Sequence, residues 1–160
     1  MLYRDKIKMI IADVDGTLTD GGVYITENGD EFKKFNAKDG LGIKLLLAQG
    51  YKVGIISASH SRKMVLKRAE MLGLSHCYVG QEAKTKILDL WCQELGLHYD
   101  EVAFIGDDIN DKGIMEVVGL AVCPADAVDI IKNIAHIVLE KNGGEGCFRE
   151  LVDKHFPILA

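Results

Sequence analysis

The stretch that decides the fold is KMIIADVDGTLT at residues 8–19, where an apolar run ends in two carboxylates and a glycine. The run at 8–12 is typical of a buried strand in a parallel sheet. Asp13 and Asp15 stand two positions apart, so their side chains point to the same side of the strand end. Burying them is costly unless a cation compensates their charge, and Gly16 lets the backbone turn sharply beside them. The segment therefore predicts a charged site, although an acidic turn after a strand is the simpler alternative.

A second strand end carries more acids. The apolar run at 102–105 is followed by Gly106, Asp107 and Asp108, and Asp111 comes three residues later. Acids at the ends of two strands repel each other unless a hard cation neutralises them, and a set of oxygen ligands suits Mg²⁺, which keeps waters and shares a phosphate. We therefore expect a Mg²⁺ site there.

Two further residues suit a bound phosphoryl group. The apolar run at 52–56 ends in Ser57, and Lys84 lies between a short strand and a helix. A hydroxyl and an ammonium are the donors that a phosphoryl group needs opposite a metal. Taken alone, Ser57 would be read as a helix cap and Lys84 as a solvated lysine at a helix start.

Composition limits the classes of protein. A chain of 160 residues with 48% apolar content predicts one domain over residues 1–160. With 19 basic and 24 acidic residues and no long run of Lys or Arg, nucleic acid is not expected as a partner. The absence of an apolar leader or of an 18-residue apolar stretch predicts a cytoplasmic protein without a membrane partner. The four cysteines have no CxxC spacing, which argues against a zinc site or a redox motif.

The pattern along the chain predicts an α/β fold, a doubly wound parallel sheet with helices on both faces. Predicted strands lie at 8–14, 52–57, 76–79, 102–106, 119–123 and 136–139. Predicted helices lie at 40–49, 61–73, 84–96, 110–118, 126–133 and 146–155. We expect the first helix to start at Asp39-Gly40.

One segment departs from this alternation. Runs at 23–26 and 31–35 flank Asn28-Gly29, a strong turn signal, and so predict a small β-hairpin after the first strand rather than a cap domain. Connections elsewhere are short. The site is therefore expected to be open, or covered by another subunit.

The ordered set of segments resembles the four motifs of the haloacid dehalogenase superfamily of phosphohydrolases. These segments are DVDGT at 13–17, Ser57 after its strand, Lys84, and GDDINDK at 106–112. DGTLTDGGVYITENG, FNAKDGLGIKLL and NGGEGCFRE at 142–150 look like the capless branch. That branch dephosphorylates 3-deoxy-manno-octulosonate 8-phosphate and related nine-carbon ulosonate 9-phosphates.

The resemblance implies a role for each acid. Asp13 is expected to attack phosphorus and form an aspartyl phosphate, with a pure metal ligand as the alternative. Asp15 would protonate the leaving alkoxide and then activate water, while its backbone carbonyl binds the metal. Asp107 would complete the metal shell, with the choice between Asp107 and Asp108 left open. Asp108 and Asp111 would orient the metal's waters or the lysine.

The resemblance also implies where substrate binds. Ser57, Ala58 and Lys84 would hold the phosphoryl group. The branch usually has Gly then Arg after the motif serine, whereas this chain has Ala58 and Ser59. This difference leaves the identity of the substrate's sugar undecided. His60, Arg62 and Lys63 could face the substrate carboxylate, although a helix surface is the default for all three.

The glycine-rich segment at 143–149 is expected to be a flexible tail. From that tail Arg149 could bind the substrate carboxylate, with a helix-surface ion pair as the alternative. Because no cap covers the site, the chain is predicted to form a homotetramer with sites at subunit boundaries.

Two other functions are carried as alternatives. A receiver-type signalling domain also holds acids at strand ends, a hydroxyl residue and a lysine, but its accepting aspartate lies at the strand end where this chain has Ser57. A weakly active regulatory partner of a sugar cytidylyltransferase is disfavoured, because every candidate catalytic group is present.

Overall fold

The computed structural model describes residues 3–158 and is organised around a six-stranded parallel sheet. In chain order the strands are β1 (Met9–Ala12), β2 (Tyr24–Ile25), β3 (Glu31–Phe32), β4 (Lys52–Ser57), β5 (His76–Val79), β6 (Val102–Ile105), β7 (Leu120–Cys123) and β8 (Ile137–Val138). The sheet has the order β5-β4-β1-β6-β7-β8, while β2 and β3 pair separately as an antiparallel hairpin.

Helices cover both faces of the sheet, which confirms the predicted doubly wound α/β fold. They are α1 (Tyr3–Lys6), α2 (Ala37–Ala48), α3 (Arg62–Leu72), α4 (Lys84–Leu95), α5 (Lys112–Met115), α6 (Asp129–Ile134) and α7 (Cys147–His155). One buried cluster joins α2, α3 and α7 to the sheet, and a second joins α4, α5 and α6 to its other face. Among the described helices, none is long and apolar enough to cross a membrane. The cytoplasmic location stays a prediction.

The register of the central strands brings the site residues to one edge. Ala12 at the end of β1 pairs with Ile55 of β4 on one side and with Ile105 of β6 on the other. The residues that follow these three strands therefore meet at the carboxyl edge of the sheet. The strand order also reverses beside β1, and ligands of open α/β sheets bind in the crevice at such a point.

The predicted hairpin is confirmed, with shorter strands than expected. Asn28-Gly29 forms its turn, in which Gly29 adopts a φ of 85° and its amide donates to Thr26 O at 2.9 Å. β2 and β3 contribute two residues each. In the described chain this hairpin is the only paired β structure between β1 and α2, where a cap domain would have to be inserted.

Helix α2 starts earlier than predicted. Asn36, not Asp39, is the N-cap, and its side chain accepts hydrogen bonds from the amides of Lys38 and Asp39. Asp39 is instead buried, and its Oδ1 accepts from the amide of Arg149 at 2.9 Å. The prediction was wrong because the Asn36 side chain satisfies the free amides of the first turn.

The predicted helix at 110–118 is broken. A 3₁₀ turn covers Ile109–Asp111, and α5 ends at Met115. The side chain of Asp108 accepts from the amide of Ile109 at 2.7 Å, and Asp111 accepts from the amides of residues 107 and 108. These carboxylates hold the backbone in a tight turn instead of a regular helix.

The expected flexibility of residues 143–149 is wrong. A Cβ added to Gly143 would come within 1.8 Å of the carbonyl oxygen of Gly16, and the amide of Gly144 donates to Thr17 O at 3.0 Å. Phe148 and Leu151 of α7 are fully buried. The segment lies against the back of the turn after β1 and belongs to the core.

Candidate active site

The turn after β1, residues 13–20, is held by its own backbone and is called the catalytic loop below. The carbonyl of Val14 accepts the amides of Thr17, Leu18 and Thr19. Gly16 has a φ of 85°, and a Cβ at this position would lie 2.0 Å from Oδ2 of Asp107. A glycine is therefore required for the loop after β1 to approach the carboxylate after β6.

A buried lysine joins two of the strand-end acids. The Nζ of Lys84, at the start of α4, lies 3.0 Å from Asp13 Oδ1 and 2.6 Å from Asp111 Oδ1. The exposed fraction of the side chain is 6% for Lys84, 6% for Asp13 and 0% for Asp111. Because the contacts are shielded from water, removing one partner would leave a buried charge unpaired, which is far more destabilising than the loss of a surface ion pair.

Asp107 completes a group of four charged side chains. Its Oδ1 accepts a hydrogen bond from the hydroxyl of Thr17 at 3.1 Å. One carboxylate oxygen from each of Asp13, Asp107 and Asp111 lies within 4.8 Å of the others. We call Asp13, Lys84, Asp107 and Asp111 the floor cluster.

The floor cluster carries an excess of negative charge, because a single ammonium faces three carboxylates. Burial and the neighbouring charge of Asp111 raise the pKa of Asp13 well above its usual value, with Lys84 opposing the shift. Burial and Asp111 likewise raise the pKa of Asp107 to about 6. Burial lowers the pKa of Lys84, but Asp13 and Asp111 outweigh it and leave that pKa raised.

The floor cluster fits a hard divalent cation. Both carboxylate oxygens of Asp111 already accept hydrogen bonds, Oδ1 from Lys84 and Oδ2 from the amides of residues 107 and 108. Oxygens of Asp13 and Asp107 therefore remain as ligands, and a small oxygen-rich site of this kind suits Mg²⁺. The missing side chain of Gly16 keeps the space beside Asp107 Oδ2 open.

Ser57 and Ala58 lie at the end of β4, near the floor cluster. Ser57 is buried, and its Oγ accepts the amide of Ser59 at 3.1 Å. The carbonyl of Ala58 accepts from the side chain of Gln81 at 3.1 Å. Ser57, Ala58 and Lys84 line one opening of about 230 Å³, so the structure brings the three predicted phosphate-binding residues together.

A cleft of about 320 Å³ lies above Asp13 and is bordered by exposed polar residues. Asp15, His60 and Asp108 line it. Lys33 and Glu31 of the hairpin line it as well, and sequence reasoning missed both. Their spacing of two residues places them on one side of the extended hairpin strand, which is the signal that could have found them.

Other predicted residues do not join the floor cluster, although Asp108 lines the cleft. Asp108 caps the 3₁₀ turn, so Asp111 and not Asp108 joins the floor cluster. Arg149 pairs with Asp153 on α7 at 2.9 Å, the alternative that sequence analysis left open. Arg62 and Lys63 line an adjoining, shallow opening that shares Glu31 and His60 with the cleft.

A larger cavity of about 420 Å³ lies elsewhere on the protein. Arg4, Lys8 and Lys52 are among the residues that line it, and Asp5 is the one acid among its described lining residues. It lacks the grouped carboxylates and the buried lysine. The chemistry therefore assigns the candidate active site to the smaller cleft.

Comparison with known proteins agrees with this geometry. Residues 80–151 match the family described as haloacid dehalogenase-like hydrolase. The chain is also 39% identical over 153 residues to the 3-deoxy-D-manno-octulosonate 8-phosphate phosphatase of Escherichia coli, covering 96% of this chain and 81% of that protein. The chain belongs to the haloacid dehalogenase-like hydrolases, and within them it is a phosphatase, a phosphoric monoester hydrolase. The receiver-type alternative is therefore wrong.

The fold is also similar to solved structures of phosphatases of this kind. The corresponding phosphatase of Moraxella catarrhalis, in complex with magnesium, phosphate and a KDO molecule, superposes with a TM-score of 0.90 at 32% identity over 94% of this chain and 86% of that one. The cobalt-bound enzyme of Haemophilus influenzae has a TM-score of 0.89 at 34% identity, covering 94% and 88%. Both relatives bind metal ions.

Proposed function

We propose that the whole chain is a single Mg²⁺-dependent phosphatase domain that hydrolyses the phosphate ester of a 2-keto-3-deoxy sugar acid. The candidate substrates are 3-deoxy-D-manno-octulosonate 8-phosphate and a nine-carbon ulosonate 9-phosphate. The observation that carries the proposal is the floor cluster, in which Asp13 is buried beneath an open cleft and held by Lys84. The names of the relatives support the substrate class.

Asp13 acts as the nucleophile. Its Oδ1 accepts a hydrogen bond from Lys84, which leaves Oδ2 for attack on phosphorus. A bond then forms between Oδ2 and phosphorus while the bond from phosphorus to the sugar oxygen breaks. Lys84 holds the carboxylate in one orientation and offsets part of the negative charge of the incoming phosphate.

Asp15 moves the proton. It lines the cleft on the exposed side of Asp13, where the leaving oxygen would lie. In the first step it donates a proton to the departing sugar alkoxide, and in the second it accepts a proton from the water that attacks phosphorus and releases Asp13. Each proton that Asp15 loses is thus regained within one turnover.

Ser57 and Lys84 bind the nonbridging phosphate oxygens, together with backbone near Ala58. Both side chains are buried beside the opening of about 230 Å³, which shares Ala58 with the cleft, so their positions are set before substrate arrives. Oriented donors of this kind contribute about 10²- to 10³-fold in rate each.

Asp13, Asp107 and the backbone carbonyl of Asp15 would hold Mg²⁺. The bound ion would neutralise the surplus charge of the floor cluster and polarise the phosphoryl oxygens. Asp111 positions Lys84 and the backbone of Asp107, which explains why it is fully buried although it is not a ligand.

The test is a substrate panel under controlled metal. The enzyme is stripped with a chelator, reloaded with Mg²⁺ or Ca²⁺, and assayed for phosphate release from eight- and nine-carbon ulosonate phosphates and from a neutral hexose 6-phosphate. We expect turnover with Mg²⁺, inhibition by Ca²⁺, and a preference for an acidic sugar. Full activity after chelation would contradict the requirement for Mg²⁺. A preference for the neutral sugar phosphate would contradict the proposed substrate class. The Asp13→Asn variant serves as the inactive control.

A further inference from the structure

We propose that Lys33 of the hairpin is a positioning residue for Asp15, an inference that rests on the proposed function. The Nζ of Lys33 lies 2.6 Å from Asp15 Oδ1. The two residues are 18 positions apart in the chain, so the hairpin and not the catalytic loop sets this contact. The contact places a lysine beside the residue that moves the proton.

Burial distinguishes this contact from an ordinary surface ion pair. The side chain of Lys33 is only 7% exposed, although that of Asp15 is 47% exposed. A lysine side chain loses much rotational freedom when it is shielded in one position, so other contacts must stabilise it. Glu31 Oε1 lies 3.6 Å from the same Nζ and completes a chain of three charges along the cleft.

The contact leaves Asp15 with two different oxygens. Oδ1 is engaged by Lys33, and Oδ2 is left for the leaving oxygen of the substrate. Fixing one oxygen restricts the carboxylate to the orientation in which the other reaches the scissile bond, which is how enzymes reduce the entropic part of a barrier. The proton that reaches the sugar alkoxide comes from Asp15.

Charge balance agrees with this arrangement. Lys84 offsets two of the buried acids of the floor cluster, and Lys33 lies beside the acid outside it. The hairpin therefore contributes to the chemistry of its own subunit, besides any part it plays in assembly.

The test compares Lys33→Met with its neighbour Lys34→Met, an exposed lysine that serves as the control. Each variant is assayed on an ulosonate phosphate, which has a poor leaving group, and on 4-nitrophenyl phosphate, which needs little protonation. A positioned general acid contributes about 10²- to 10⁴-fold, so we expect Lys33→Met to lose about 30-fold or more in kcat on the sugar ester. The loss on the aryl ester should stay below about threefold, with KM little changed for both substrates.

Two further variants separate positioning from other roles. Lys33→Arg keeps a cation in reach of Asp15 and should restore most of the activity on the sugar ester. In an Asp15→Asn background, Lys33→Met should have no further effect, because the residue on which it acts is gone. Equal losses on both esters, additive losses in the double variant, or a raised KM with unchanged kcat would each overturn the inference.

The failure of the proposed function gives a different result. If the parent enzyme cleaves the aryl ester but neither ulosonate phosphate, the substrate assignment fails. The same comparison is then made with glycerol phosphate, another ester with a poor alkoxide leaving group. A selective loss on that ester would still support the role of Lys33, and a loss shared with the aryl ester would contradict it.

Discussion

The site combines two regions whose charged side chains differ in how far they are buried. In the floor cluster, Lys84 and Asp111 are buried at the carboxyl edge of the sheet, and their contact is 2.6 Å long. At the rim, which we define as Asp15, Lys33 and Glu31, an equally short contact joins Lys33 to a half-exposed carboxylate. The two contacts are equally long but differ in exposure to solvent, and burial decides how much the fold depends on each of them.

The difference separates general from specific chemistry. The floor cluster would meet the phosphoryl group, which every phosphate ester shares, and its side chains come from the ends of packed strands and the start of α4. The rim would meet the leaving group and comes partly from a hairpin outside the sheet. Substitutions in the floor cluster should therefore reduce turnover of all substrates, whereas substitutions at the rim should reduce turnover of some substrates more than others.

The largest effect is expected from Asp13→Asn. An amide nearly preserves the shape of the carboxylate but cannot attack phosphorus, so turnover of every ester should fall by at least about 10⁴-fold while the fold persists. Phosphate release and circular dichroism measure the two quantities. Asp30→Asn, an exposed change in the hairpin turn, is the matched control. Activity within tenfold of the parent would exclude Asp13 as the nucleophile.

Lys84→Met should be nearly as damaging, and it should also reduce stability. Removing the ammonium leaves Asp13 and Asp111 buried beside each other, and breaking a buried ion pair typically costs about 3–5 kcal/mol. We expect about a 10³-fold loss of turnover on both ester types, and a lower free energy of unfolding in urea. Lys86→Met removes an exposed lysine on the same helix and serves as the control. Unchanged stability would contradict the paired state of this lysine.

Ser57→Ala should lose less, about 10²-fold, because one oriented donor is removed without leaving a charge unpaired. The loss should again be similar for sugar and aryl esters, since the hydroxyl is expected to meet the phosphoryl group. Steady-state kinetics on both esters measure it. Ser75→Ala, an exposed serine before β5, is the matched change. A loss confined to the sugar ester would contradict a phosphate-binding role for Ser57.

The same contrast explains what the sequence could predict. Asp13, Ser57, Lys84 and Asp107 follow or precede apolar runs, and parallel strands must bring their carboxyl ends to one edge. Their meeting is therefore implied by the strand pattern. Lys33 lies after a strand of two residues, and its partner depends on how the hairpin folds back over the cleft.

The predictions that were wrong concern side chains that bond to nearby backbone. Asn36 satisfies the first amides of α2, and Asp108 and Asp111 fold residues 107–111 into a tight turn. The glycines at 143 and 144 suggested flexibility, but they are small so that the segment can pack on the catalytic loop. A glycine-rich sequence alone does not distinguish a mobile segment from a close backbone contact.

A change at another residue of the cleft should alter selectivity without a large loss of turnover. His60 lines the cleft with Lys33, so His60→Ala should raise KM for an ulosonate phosphate by about tenfold, the value of one contact to a carboxylate. KM for 4-nitrophenyl phosphate, which has no such carboxylate, should not change. Arg62→Ala, just outside the cleft, tests whether any nearby charge has the same effect. Equal changes for both esters would place His60 with the phosphate-binding groups.

The smallest effect on chemistry is expected from the outer face of the hairpin, where assembly can be tested. Tyr24 and Phe32 stack on the side of the hairpin opposite to Glu31, which lines the cleft. Phe32 is 56% exposed, which fits a surface covered in the predicted homotetramer. Truncation after residue 140 would be a poor test, because it removes Phe148 from the core. The change Phe32→Ser leaves the core intact, and Val117→Ser provides a control at another exposed apolar residue. We expect the mass in solution, measured by light scattering, to fall to that of a smaller species.

Turnover of the aryl ester per chain should stay within about threefold, because the floor cluster lies within one chain. Loss of activity on both esters with an unchanged mass would contradict the hairpin's role in assembly, and a parent protein that is monomeric would refute the tetramer.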